Sequence, residues 1–325
     1  MLIITQREMP EVIWKHLKLQ LEKCFGPKLA FSEDLDSESD LHFEYNYRKN
    51  LILPGKFNIL ILHEPQAVDP GAYKKKALTK FNLVLPMSPW RARNLGYKEW
   101  ILHPFSWEHD AYSYEKIENR KLKHLVMINA LKFSANKNSL YGLRREISRQ
   151  LFRMNIDYDL YGLNWKMSKT KALREILWSI RKELNAHQIP KLTEAFSQFF
   201  YNYPEYSGVV NAKLPILQEY KYSLIIENEA DYVTEKVFDS IIARSVPYYI
   251  GPNLNVFPEL EKCVIQLPPN TKKICQAIQN ENSVIYDEKR ANIEKFLESP
   301  NGIAEFSAVS ISNTIATHLK KNLRF

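Results

Sequence analysis

Short, unbroken apolar runs separated by charged stretches dominate the chain. Asn58–Leu62 (NILIL) and Phe81–Leu85 (FNLVL) lack the alternation of a half-solvated strand. They read as strands of a parallel sheet buried on both faces. Trp100–Leu102 is a third, shorter run, and Leu125–Ile128, Asp157–Tyr161, Tyr222–Ile226 and Val246–Ile250 continue the series. Helical spacing appears over Glu11–Cys24, where Val12, Trp14, Leu17, Leu19 and Leu21 stand among charges. It returns over Ser139–Met154, with Leu143, Ile147 and Leu151 on one face, and over Thr234–Arg244 between two strands. Residues 165–200 predict one or two more helices. Strands alternating with helices predict an α/β fold. The pattern restarts after the charged stretch Ala111–His124, which predicts two α/β halves, 1–120 and 121–325, with a cleft between them. Apart from its helix, the segment 1–50 resists reading, and SEDLDSESD at 32–40 reads as a solvated acidic loop.

Composition narrows the partners. A chain of 325 residues is long for one core and natural for two. The formal net charge of +8 favours anionic ligands. The 3 cysteines form no CxxC pair, which fits a reducing compartment. No signal-like leader and no apolar window of membrane-spanning length is present, so the chain reads as cytoplasmic. The 9 glycines form neither GxGxxG nor a P-loop, and the 8 histidines form no HExxH. Lys74–Lys76, Lys320, Lys321 and Arg324 could touch phosphates, but no nucleic-acid-binding motif accompanies them. The basic tail THLKKNLRF suits peripheral contact with an anionic membrane at its inner face. Its alternative is a last helix packing back on the fold.

The densest chemistry lies in YKYSLIIENEADYVTEKVFDSIIARSVPYYIGP, residues 220–252. Read as strand, loop, helix and strand, it sets Glu227, Asn228, Tyr232, Thr234, Glu235 and Lys236 beyond the carboxyl end of the first strand. Ligands of open α/β sheets bind there. Thr234 is suited to cap the helix and Glu235 to its first turn. The helix N-terminus and Lys236 offer positive charge to a phosphate. The carboxylates and the amide offer partners to sugar or ribose hydroxyls. That combination suits a nucleotide sugar. Capping and a solvated lysine account for the same spacing without function.

This segment resembles the signature of the family 10 glycosyltransferases, the α-1,3/α-1,4-fucosyltransferases: a YKF-strand-EN segment, a spacer, a DY-[VI]-TEK helix and a VP-strand-GP end. The spacer is short here, with Glu229 and Ala230 alone between Asn228 and Asp231. RREISRQLFRMNIDYDLYG, residues 144–162, is similar to the family's arginine-bearing helix and the strand that follows. Arg144 aligns best, with Arg145 adjacent. NILILHEPQAVDPGAYKKKALTKFNLVL, residues 58–85, is similar to a first-domain segment with a glutamate at a strand end, here Glu64.

The resemblance implies a GT-B fold, two Rossmann-like domains facing a cleft, in a bacterial-type member. It implies inverting transfer of fucose from GDP-fucose to a glycan hydroxyl, in α-1,3 or α-1,4 linkage. The acceptor class it suggests is N-acetylglucosamine or glucose of a surface glycan such as lipopolysaccharide. Glu64 is then the catalytic base. Arg144 and Lys236, with the helix N-terminus at 234, hold the pyrophosphate, and Glu227, Asn228, Tyr232 and Glu235 meet the fucose and ribose. The expectation is no tightly bound cofactor and no protein-ligated metal, with a free divalent cation at most stimulatory. Asp34–Asp36 and Asp157–Asp159 are DxD strings outside this set, one in the acidic loop and one in a strand. Competing readings are a GT-B transferase with another nucleotide sugar and a non-catalytic sugar- or nucleic-acid-binding protein.

Overall fold

A computed structural model of the chain describes residues 2–26, 29–32, 39–47, 52–88, 92, 95, 122–192, 203–299 and 302–322. Trp100–Leu102, Asp34–Asp36 and most of the charged stretch 111–124 lie outside them. The chain forms two compact units. One is Met1–Tyr112 together with Ala304–Phe325, and the other is Ser113–Ile303.

The first unit is built on a parallel sheet of β1 (Leu2–Arg7), β2 (Leu29–Ser32), β3 (Leu41–Tyr45), β4 (Phe57–Leu62) and β5 (Leu83–Pro86), in the order β2-β1-β3-β4-β5. On one face pack α1 (Glu11–Phe25) and the C-terminal helix Ala308–Asn322. Ile13, Leu17 and Leu21 of α1 bury against Ile311, Ile315 and Leu319 together with Phe43 and Ile59 of the sheet. Leu19, another apolar position of the predicted helix, is exposed. The tail's apolar positions thus pack inward as far as Leu319, with Lys320 and Lys321 exposed. Residues 304–325, which the sequence reading left with the second half, group with the first unit.

Three strands before residue 50 escaped the hydrophobic pattern. In β1 and β3 the other face is polar yet buried. Thr5 Oγ1 lies 3.0 Å from His42 Nδ1, and His42 Nε2 lies 3.2 Å from Glu44 Oε2. All three are nearly inaccessible to solvent. Mutual hydrogen bonding makes such burial affordable, and it hides the strands from a scan for apolar runs.

The second unit holds a parallel sheet in the order β11-β10-β9-β6-β7-β8. Its strands are β6 (Lys123–Ile128), β7 (Asp159–Tyr161), β8 (Tyr206–Gly208), β9 (Tyr220–Ile226), β10 (Val246–Ile250) and β11 (Ile265–Gln266). The helices after α2 (Lys75–Leu78) are α3 (Tyr141–Arg153), α4 (Lys169–Asn185), α5 (Lys213–Leu217), α6 (Lys236–Ile242), α7 (Pro258–Lys262), α8 (Thr271–Gln279) and α9 (Ser283–Glu298). The chain winds outward from β6 in both directions, so the strand order reverses between β6 and β9. A Rossmann-like sheet binds its ligand beyond the carboxyl ends at such a reversal. β9 is central, and its predicted run Tyr222–Ile226 is buried throughout.

Candidate functional site

The carboxyl end of β9 is where the sequence concentrated its charges. Glu227 extends the sheet, donating its N–H to Ile250 O at 2.9 Å. Its side chain is wholly buried. One carboxylate oxygen accepts the N–H of Thr234 at 2.9 Å and the other accepts the Thr234 hydroxyl at 2.6 Å. The two residues therefore pin the ends of the loop between β9 and α6. Thr234 does not cap α6 as expected. The helix starts at Lys236, and the Thr234 hydroxyl is engaged with Glu227 instead. Burial pushes the Glu227 carboxyl up, while Lys236 and the two Thr234 bonds oppose the rise.

Gly251 explains the Gly-Pro end of the motif. A Cβ there would stand 2.5 Å from the Tyr249 hydroxyl and 2.8 Å from Glu227 Cγ. Only a residue without a side chain lets β10 close over the buried carboxylate.

Arg144 enters from α3, the helix after β6. Its Nε and Nη2 donate to Ile226 O at 3.0 and 2.6 Å, and Nη2 also donates to Asn228 Oδ1 at 2.9 Å. The guanidinium lies 4.7 Å from the centre of the Tyr141 ring. Burial lowers its pKa, with Tyr141, Glu227 and Glu235 opposing. Arg145 points elsewhere. It donates to Lys132 O at 2.7 Å and stacks on Phe133. Of the two candidate arginines, Arg144 is the one joined to the motif. The loop after β9 is further tied to the start of α3 by Leu140 N–H donating to Asn228 O at 3.0 Å.

Glu235 and Lys236 occupy the start of α6. Lys236 Nζ lies 3.0 Å from Thr234 Oγ1 and 3.9 Å from Glu235 Oε1. A residue the sequence reading missed completes the cluster. Lys213 of α5 reaches Glu235 Oε1 at 2.9 Å and Asp239 Oδ2 at 3.0 Å. Burial alone would raise the Glu235 carboxyl, but Lys236 and Lys213 overcome it and hold it at about 2. Lys213 itself is raised, burial being outweighed by Glu235 and Asp239. A water-sized cavity of about 20 Å³ lies beneath, lined by Lys213, Lys236, Asp239, Ser223 and Ser240. Tyr232 is buried against this loop.

A second missed residue is Asn129, at the carboxyl end of β6. Continuing the β6–β9 register past Val126 and Ser223 sets it opposite Ile226, the carbonyl that Arg144 grips. Its N–H donates to Tyr161 O, its carbonyl accepts from the Trp165 indole, and Gly162 packs on that carbonyl. Its side chain is buried, and neither end of the amide has a hydrogen-bond partner among the described residues. A fixed backbone carrying an unmatched amide at the reversal of strand order is a signal that no sequence pattern contains.

Glu64 belongs to the first unit, two residues beyond β4. Its N–H donates to Asn46 Oδ1 at 2.7 Å and its carbonyl accepts the Tyr73 hydroxyl at 2.6 Å. The side chain is half-buried. Tyr45 lies near enough that its phenol is pushed up, by burial first and by Glu64 second.

Among the described residues, no three His, Cys, Asp or Glu side chains gather as a metal-ligand group. Asp159 of the second DxD string is instead bonded to Tyr220, Ser207 and Lys123. These bonds overcome burial and lower its pKa.

No protein-family model matches the chain. A putative fucosyltransferase-like protein of Arabidopsis thaliana is 55% identical over 42 residues, 12% of this chain and 8% of that protein. The match thus spans under a tenth of that relative's length. Among solved structures, a glycosyltransferase from Rickettsia africae aligns with a TM-score of 0.52 at 8% identity, covering 98% of this chain and 97% of its own. HepE of Anabaena, in complex with UDP-glucose, aligns with a TM-score of 0.54 at 9% identity, covering 99% of each. The fold is that of glycosyltransferases of the GT-B type, with two Rossmann-like parallel sheets in one chain.

Proposed function

We propose that this protein is an inverting glycosyltransferase that takes fucose from GDP-fucose to a hydroxyl of a glycan. The observation that carries the reading is the convergence of Asn228, Glu235, Lys236 and Arg144 at the strand reversal of a Rossmann-like sheet. It is supported by the family 10 resemblance over Tyr220–Pro252 and by the similarity to the Arabidopsis protein.

In this reading the donor diphosphate lies against Lys236 and the unused Nη1 of Arg144. Fixed cations there stabilise the charge that develops on the leaving group. Glu235, kept ionised by Lys213 and Lys236, accepts hydrogen bonds from donor hydroxyls. Asn228, oriented by Arg144, and Asn129 offer amide donors and acceptors nearby. Glu227 and Tyr232 act by shaping the loop. Both oxygens of the Glu227 carboxylate accept from Thr234, which leaves it a positioning residue. Glu64 is the general base. It takes the acceptor hydroxyl proton as the oxygen forms its bond to the anomeric carbon. The bond from that carbon to the diphosphate oxygen breaks, GDP leaves with the electron pair, and configuration inverts. The acceptor proposed is a surface-glycan N-acetylglucosamine or glucose, linked at position 3 or 4.

The test is a ligand panel read by thermal unfolding. GDP and GDP-fucose at about 100 times the dissociation constant should add about 2.7 kcal/mol of stability. Stabilisation by UDP or its sugars in their place overturns the donor. Stabilisation by no nucleotide overturns the transferase reading.

A further inference from the structure

Helix α4 is turned inside out. The face it buries carries Ile176, Ser179 and Glu183. Two of these are polar anchors: Ser179 Oγ accepts the Ala135 N–H at 2.6 Å, and Glu183 accepts the Asn136 amide at 3.3 Å. The face it exposes carries large apolar side chains beside cations. Leu173, Leu177, Trp178 and Leu184 are 40%, 53%, 56% and 57% exposed, and Ile189 just beyond the helix is 91% exposed. At about 100° per residue, Leu173, Leu177 and Leu184 fall within about 40° of one another, so they form a stripe. A surface helix normally turns such a stripe to the core. Exposed apolar surface on this scale marks an interaction site.

Charge identifies the occupant. Residues 169–192 carry six Lys and Arg residues against Glu175 and the buried Glu183. Arg174 and Arg181 run between the leucine stripe and Trp178, and Lys182 Nζ lies 3.6 Å above the Trp178 ring. A second copy docked about a two-fold axis would set these cations against themselves. Nucleic acid would meet the cations but would leave the leucines in water. Among the described residues no helix is long and apolar enough to cross a membrane.

We propose that α4 and the segment after it to Leu192 dock on an anionic phospholipid surface. The leucine stripe and Trp178 enter the headgroup boundary, and Arg174, Arg181 and the flanking lysines meet lipid phosphates. This is the composition of a helix that lies in the interface plane. The inference stands apart from the transferase reading, because lipid binding requires no donor and no turnover.

The test is co-sedimentation of the full chain with vesicles of phosphatidylcholine, alone or mixed with phosphatidylglycerol. Pelleting with the anionic vesicles only, weakening with salt, is the expected result. Leu177→Glu with Leu184→Glu, and separately Arg174→Glu with Arg181→Glu, should each lower the bound fraction by about tenfold. Both pairs are exposed, and unchanged thermal unfolding verifies that the fold is intact. Failure of the folded wild-type chain to bind anionic vesicles overturns the proposal. So does binding that survives both pairs of substitutions. A wild-type dimer that the leucine variant converts to monomer overturns it in favour of self-association.

Discussion

The carboxyl ends of β4 and β9 each carry a glutamate, and the protein treats the two in opposite ways. Glu64 is fixed through its backbone, by Asn46 on its N–H and Tyr73 on its carbonyl, while its side chain stays half-exposed. Glu227 is fixed through its carboxylate, which is sealed from solvent and bonded twice to Thr234. The contrast separates two uses of one functional group. In the proposed reading Glu64 exchanges a proton with the substrate and has to be reachable, which an anchor through its backbone allows. A carboxylate that closes a loop can be consumed by that task. Two substitutions by size alone would look alike on the sequence, yet they should fail in different ways.

The largest effect is expected at Glu64. If it is the base, Glu64→Gln keeps the backbone bonds and the side-chain shape but removes the proton acceptor. Transfer should fall by about 10²–10⁴-fold with GDP affinity and thermal stability unchanged. Equal losses in donor affinity and transfer would make Glu64 a binding residue and dissolve the contrast with Glu227.

Glu227→Ala should behave in the reverse manner. It leaves the Thr234 N–H and hydroxyl buried without their acceptor, a cost of about 1–3 kcal/mol for each group stranded. Stability and nucleotide affinity should fall together, since the loop that carries Glu235 and Lys236 loses its clasp. Denaturation curves showing wild-type stability would refute the clasp. Gly251→Ala probes the same clasp from the opposite side. Its Cβ would collide with the Tyr249 hydroxyl and Glu227 Cγ, and such overpacking costs about 1–3 kcal/mol. An alanine accommodated without loss of melting temperature would mean that β10 shifts freely over Glu227.

These sites also show what a sequence can and cannot carry. In the second sheet the inner strands were legible because they are apolar on both faces, as in Tyr222–Ile226 and Val246–Ile250, whereas the short edge strands β8 and β11 carry no such run. The motif residues were legible because they lie within one strand-loop-helix unit. β1 and β3 were not, because His42 is buried by bonding across to Thr5 and along its own strand to Glu44, and the cross-strand half of that pairing is invisible along the chain. The return of the last helix to α1 was equally hidden, since Ile13 and Ile315 meet only through folding. Lys213 read as an ordinary lysine, because its partners Glu235 and Asp239 stand 22 and 26 residues away. Thr234 shows the opposite failure. Its local pattern fits a helix cap, but the helix begins at Lys236, and the Thr234 hydroxyl donates to Glu227 while its oxygen accepts from Lys236 Nζ.

The smallest effect tests whether Glu235 belongs with the working carboxylate or the consumed one. Glu235 is held at about 2, below its ordinary value of 4.5, by two lysines that outweigh its burial. A carboxyl lowered on folding binds fewer protons in the native than in the unfolded chain between those values. Its stabilising contribution is therefore complete above about 4.5 and drains away as pH falls toward 2. Lys213→Met removes one of the two lysines while keeping most of the apolar stem. The variant should lose about 1 kcal/mol near neutral pH, the scale of a partly exposed ion pair. The gap from wild type should close as acid protonates Glu235. Nucleotide affinity should weaken modestly, because Glu235 then draws on Lys236 and takes charge from the diphosphate. A stability gap that persists unchanged down to pH 2 would locate the role of Lys213 in packing. In that case Glu235 would depend on Lys236 alone for its ionisation, and it would stand closer to Glu64 than to Glu227.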